Sequence, residues 1–216
     1  MIAEEWFDGS LHSYSTIIKD QKIIFEYFDS EFCLYHDFLV STSISSAPTD
    51  NQVRQGLANE VSRLIKELQL VDGVLHCQYL LGDSGYRILE FTRRMSGDLY
   101  STVVQGVRGI RHSDVFIGSS IGAQVTDYLT PVQSQSPFIS RHCITAQGTG
   151  QFSGLSIDPG LRPNLVSLTL ARPLGSALNS DGLGKAAVAI LSFESEAEMR
   201  RFALTCKDSM RCEINP

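Results

Sequence analysis

No apolar run in this 216-residue chain approaches the roughly 20 residues needed to span a bilayer, so no membrane helix is expected. Lysine and arginine form no cluster, and the net charge is −6 at pH 7, which argues against a nucleic-acid surface. The five cysteines (Cys33, Cys77, Cys143, Cys206 and Cys212) are odd in number and include no C-x-x-C pair. A reduced, cytoplasmic protein is expected, its thiols acting mostly as small hydrophobes, with no zinc site. The histidines (His12, His36, His76, His112 and His142) lack metal-ligand spacing. Catalytic signatures are missing too. There is no G-x-S-x-G elbow, no G-x-x-x-x-G-K-[ST], and no G-x-G-x-x-G following a strand. Cys77 adjoins His76, but neighbours in a strand point to opposite faces, so they make no nucleophile–base couple. The first residues have neither a basic n-region nor an apolar h-region, so no signal peptide is expected.

What is present can bury a real core: 43% of residues are hydrophobic, enough for one large or two small domains. Ser13 to Lys19 and Lys22 to Phe28 read as a hairpin around Asp20-Gln21, and Tyr35 to Ile44 as a further strand. Asp50 or Asn51 caps a helix whose apolar residues Val53, Leu57, Val61, Leu64, Ile65 and Leu68 recur at helical spacing. Two more helices are expected over Leu99 to Gly109 and Ser113 to Leu129. Thr130 to Pro137 is a polar, proline-containing connector, which divides the chain into 1–132 and 133–216. Beyond it, strands are expected at Ile139–Ala146, Gly150–Ile157, Leu165–Ala171 and Ala186–Phe193, then a helix from Glu194 to about Cys206 and a last strand. Acidic residues open that helix, where its dipole favours them. The fold class is α+β, an antiparallel sheet with packed helices.

The most informative stretch runs from Gly73 to Gly97. Leu75–Leu81 and Tyr86–Phe91 read as a hairpin closed by a three-residue loop, Asp83-Ser84-Gly85. That loop pairs Gly82 with Tyr86, and so sets Gln78 opposite Glu90 and His76 opposite Thr92, all on one face. Arg94 would follow on the same side. A carboxylate, a carboxamide, a hydroxyl and a guanidinium together suit a hard cation and phosphate oxygens. The plain alternative is the solvated face of an antiparallel sheet.

This stretch resembles the metal-binding segment of the ATP-grasp superfamily, roughly Gly-x-x-His-x-Glu-(aromatic), a turn, then Glu-x-Asn-x-Arg and a Gly-rich loop. It matches at Gly73, His76, Tyr79, Glu90, Arg94 and Gly97. It departs at Gln78, where the family has a metal Glu, and at Thr92, where it has Asn. Upstream, Glu4-Glu5-Trp6-Phe7-Asp8-Gly9 is similar to that family's hinge strand, although a ribose Glu expected soon after the Gly is absent.

The resemblance implies the C-terminal half of an ATP-dependent carboxylate–amine (or related) ligase, followed by a small α+β part like that of biotin-carboxylase-like proteins. It implies ATP and Mg2+, with Mn2+ as an alternative ion. Glu90 and Gln78 would be the metal ligands, with His76 beside them rather than on the ion. Arg94 would be the catalytic cation. Glu4, Glu5, Trp6 and Phe7 would lie at the nucleotide, and Asp98 at a substrate amine. The partners implied are a small carboxylate, an amine and an N-terminal lobe that this sequence does not contain. Neither nucleic acid nor membrane is among them, and a homodimer is left open. Without the lobe's phosphate-binding lysines the chain alone is expected to be inactive. A non-catalytic nucleotide- or metabolite-binding module of the same descent is the second reading, favoured by Gln78 and Thr92.

Overall fold

The computed structural model describes residues 5–46, 50–134, 136–181 and 183–215. In chain order the elements begin with β1 (Ser10–Lys19), β2 (Lys22–Phe32), β3 (Thr42–Ser45), α1 (Asn51–Glu67), β4 (Gly73–Gly82) and β5 (Gly85–Thr92). There follow α2 (Tyr100–Arg108), α3 (His112–Ser120), β6 (Ile139–Thr145), β7 (Gly150–Ile157) and β8 (Leu165–Leu170). β9 (Ala177–Leu178), β10 (Lys185–Ser192), α4 (Glu196–Ser209) and β11 (Met210–Asn215) complete the order. The fold is α+β, as expected. No helix among the described residues is long and apolar enough to cross a membrane.

Two units are distinguished by their internal contacts. One comprises Met1–Ser30, Ser46–Ser96 and Gly109–Val132; the other comprises Glu31–Ser45, Gly97–Arg108 and Gln133–Pro216. The chain leaves the first for the last time at the connector, after Val132. The second unit also takes in two earlier segments, 31–45 and 97–108.

In the first unit the strand order is β5-β4-β1-β2. Asp20 and Gln21 both have positive φ (46° and 56°), so a tight turn of the twist-matched kind joins β1 to β2 as Lys19 pairs with Lys22. α1 begins where expected, with the Asp50 carboxylate accepting from the Gln52 backbone N–H. Its buried face (Val53, Leu57, Val61 and Ile65) packs on Tyr14, Ile18, Leu75, Cys77 and Tyr79. Burying a side chain such as Leu57 contributes about 1.5–3 kcal/mol relative to leaving it in water. The other face of the same strands is apolar at one end, where Ile17 and Val74 meet Ile110, Val115 and Val125. The long helix expected to Leu129 is broken. α3 ends at Ser120, Gly122 (φ 82°) reverses the chain, and a 3-10 turn follows at Val125–Tyr128. A left-handed glycine just past the last turn is the usual helix stop.

In the second unit the order is β3-β6-β10-β8, with a separate sheet β11-β7-β9. The strands after the connector lie within a residue or two of the expected ones. α4 starts at an N-cap, Ser195, whose hydroxyl accepts from the Glu198 N–H. Its buried residues Met199, Phe202, Ala203 and Cys206 pack against Ile44, Ile144, Ala187, Ala189 and Leu191. The strand expected over Tyr35 to Ile44 is reduced to Thr42–Ser45. Residues 34–39 are bends and turns, closed by Leu39 N–H to His36 O (3.2 Å) and by the His36 ring accepting from Phe38 N–H.

Candidate functional site

The hairpin β4–β5 pairs Gln78 with Glu90 and His76 with Thr92, as the sequence suggests, but by another route. The ladder closes on Gly82 and Gly85 around Asp83-Ser84, and the register then shifts between Gln78 and Tyr79. Leu89 is the residue left over, and it is half exposed. The reason is hydrophobic. A three-residue loop would put Tyr86 and Ile88 on the polar face. The shorter closure sets them opposite Leu81 and Tyr79, where both join the core under α1. The bulge then restores Glu90 to the polar side.

That polar side extends further than the sequence reading found. Gln78 pairs with Ser13 on β1, and Ser13 with Asp29 on β2, so Glu90, Gln78, Ser13 and Asp29 form one row across four strands. A second row runs Thr92, His76, Ser15, Tyr27. Directly opposed residues project from the same face. The Ser13 hydroxyl donates to the Asp29 carboxylate, and Ser15 Oγ lies 2.7 Å from His76 Nδ1. Ser13, Ser15, Asp29 and His76 are buried, Gln78 is partly exposed and Glu90 is exposed. The face thus opens from β2 towards β5, with its accessible carboxylate at the open edge. Ser13 and Ser15, alternating beside Ile17 in a strand, were the sequence signal for the missing members.

The other expected site residues lie as follows. Arg94 is beyond the end of β5, exposed, with Nη1 donating to Met95 O at 2.9 Å. Arg93, not Arg94, is the half-buried one: its Nη2 donates to Val71 O and Asp72 O, and burial lowers its pKa. Glu4 lies outside the described residues. Glu5 and Trp6 are exposed, and the Phe7 ring lies 4.9 Å from the Arg87 guanidinium carbon. Residues 5–9 form no strand, unlike the expected hinge. They cross the hairpin end, where Gly82 meets Asp8 O too closely for a side chain. Asp98 belongs to the second unit, where it pairs with Lys185 and Arg141.

Among the described residues no three histidine, cysteine or acidic side chains converge as a cation site. Glu90 and Gln78 alone supply one charged and one neutral oxygen donor on adjacent strands. That set suits Mg2+, which keeps waters and phosphate oxygens in its shell and needs few protein ligands.

No family model matches the sequence, and no curated protein does. Solved structures do match in fold. Phosphoribosylglycinamide synthetase from Anaerococcus prevotii superposes with a TM-score of 0.79 at 12% identity, over 98% of this chain and 55% of that one. L-amino acid ligase from Bacillus licheniformis gives 0.76 at 15% identity, with the same coverage. The biotin carboxylase domain of Hydrogenobacter thermophilus 2-oxoglutarate carboxylase, solved with MgADP, ADP and bicarbonate, gives 0.66 at 11%, over 94% and 46%. The chain therefore has the ATP-grasp fold, and spans about half the length of these enzymes.

Proposed function

We propose that this chain is the C-terminal half of an ATP-dependent ligase that joins a carboxylate to an amine, or to a related nucleophile, through an acyl phosphate. The observation that carries this reading is the Glu90–Gln78 pair, held on the open edge of a polar sheet face within the fold of such enzymes. Glu90 is the principal metal ligand and Gln78 offers a neutral carbonyl oxygen. Magnesium, or manganese in its place, would offset phosphate charge as the γ-phosphoryl group moves. Ser15 holds the His76 ring against the sheet, so His76 shapes the face next to the ligands. Arg94 presents a planar fork to a transferring phosphate or an acyl-phosphate oxygen. Glu4, Glu5, Trp6 and Phe7 are assigned to the adenine side, and Asp98 to the substrate side. The carboxylate and amine substrates, an N-terminal lobe as partner and a homodimer belong to the same reading. Gln78 and Thr92 favour a second one, a binding module that keeps the fold without turnover.

Manganese tests the site, because the ion broadens nuclear resonances close to it. Mn2+ titrated into the chain with ADP should selectively broaden the amides of Gln78, Glu90 and their strand neighbours, and Glu90→Gln should abolish the effect. Gln78→Glu places a second charge beside the ion, and should tighten binding about five- to tenfold, roughly 1 kcal/mol in this exposed setting. Broadening that ignores both substitutions would sink the assignment.

A further inference from the structure

The segment ahead of α2 holds two consecutive non-glycine residues in the left-handed region, Asp98 (φ 57°) and Leu99 (φ 61°). L side chains adopt that region at a cost, so something must hold the segment there. What holds Asp98 is charge. Its Oδ2 lies 2.5 Å from Lys185 Nζ and 3.5 Å from Arg141 Nη1. Arg141 sits on β6 with its side chain only 3% exposed. Its Nε donates to Ser43 Oγ at 3.2 Å, and Nη1 reaches the Cys143 sulfur at 3.7 Å. Burial pushes that thiol's pKa up, so it brings no negative charge to the guanidinium. Nη2 makes no hydrogen bond to any described residue. A buried guanidinium with five donors is thus served by a hydroxyl, a weak sulfur acceptor and one shared carboxylate oxygen.

The balance of the cluster is two cations to one carboxylate, and it is reachable from solvent: the Lys185 and Asp98 side chains are each 31% exposed. A planar fork with an ammonium beside it matches the oxygens of a carboxylate or a phosphate. We propose that Lys185 and Arg141 form an oxyanion subsite for a ligand's carboxylate or phosphate group, which the protein's own Asp98 fills in this conformation. An incoming oxyanion takes the place of the Asp98 carboxylate and releases residues 98–99 from their left-handed geometry. Binding at this place is thereby coupled to the start of α2. The ligase reading assigns Asp98 to the substrate side, but neither nucleotide nor metal enters the test of this subsite, so the two can fail separately.

The test uses the 216-residue chain with acetate and inorganic phosphate as probes, against chloride at matched ionic strength, read by thermal melting and by ligand-observed NMR. Removing an occupant that fills the site nine-tenths of the time tightens apparent affinity about tenfold. Asp98→Asn should therefore gain an acetate- or phosphate-specific stabilisation at about tenfold lower concentration than wild type. Adding Lys185→Gln to it should remove the gain. A stronger response to phosphate than to acetate assigns the subsite to phosphate, and the reverse assigns it to carboxylate. Should Asp98→Asn not fold, wild type and Lys185→Gln are compared by acetate NMR: loss of binding in Lys185→Gln supports the subsite, equal binding refutes it. A uniform fall in melting temperature for Asp98→Asn, the same in every salt, would make Asp98 a structural ion-pair partner only and overturn the proposal. So would a response that survives Lys185→Gln.

Discussion

His142 is fully enclosed in the second unit, with Nδ1 2.7 Å from Thr42 Oγ1 and Nε2 3.2 Å from Tyr35 Oη. Burial, with the charge of Arg141 as a lesser cause, lowers its pKa to about 3. Burial alone lowers that of His112, in the first unit, to about 4. Both rings are neutral in the folded chain at pH 7, whereas in the unfolded chain they titrate near the ordinary value of about 6.5. Below that pH the unfolded state takes up protons that the folded state refuses. Stability is therefore complete above about pH 6.5 and is lost as the pH falls towards the folded values. Each histidine should cost about 1.4 kcal/mol per pH unit across that window, ahead of most carboxylate titration. Urea unfolding between about pH 7 and pH 5 measures this slope. His142→Gln should flatten it, and an unchanged slope would acquit the histidine.

At the scale of elements, the β4–β5 hairpin shows two demands being met by one bulge. Tyr86 and Ile88 need the core face and Glu90 needs the polar one, yet Ile88 and Glu90 are two residues apart and an unbroken strand would keep them together. Leu89 absorbs the conflict. Because Ile88 already pairs with Tyr79, the next residue in a regular ladder would meet Gln78. Deleting Leu89 should therefore leave Glu90 opposite Gln78 and change stability by no more than about 1 kcal/mol, since Leu89 is half exposed. Cross-strand contacts between the two, seen by NMR in the deletion variant, would check it. Their loss would show that the bulge itself holds the register.

At the scale of the whole molecule, the chain covers 55% of the length of two of the ATP-dependent ligases whose fold it shares. Its sequence has no G-x-x-x-x-G-K-[ST] phosphate loop. The purified chain should accordingly show no magnesium-dependent phosphate release from ATP in a coupled assay, with or without amino acids as trial substrates. Turnover that Glu90→Gln abolishes would contradict this, and would mean that the chain holds the phosphates by other residues.

Local chemistry made much of this legible from the residues alone. Apolar spacing marked α1, acidic residues in the first turn supported α4, alternating strands separated by turn residues marked both hairpins, and the polar positions of β4 and β5 pointed to Gln78 and Glu90. Each of these depends on side chains close together in the chain, where period and turn type decide the outcome. Tertiary structure decided the rest. It chose Leu89 rather than the turn for the extra residue, because burying Tyr86 and Ile88 against α1 outweighs a regular ladder. It brought Ser13 and Asp29 into line with Gln78, and gave Asp98 to Lys185 and Arg141, since strands remote in sequence became neighbours. Which polar groups end up opposite one another is set by strand order, and strand order answers to the packing of both sheet faces at once.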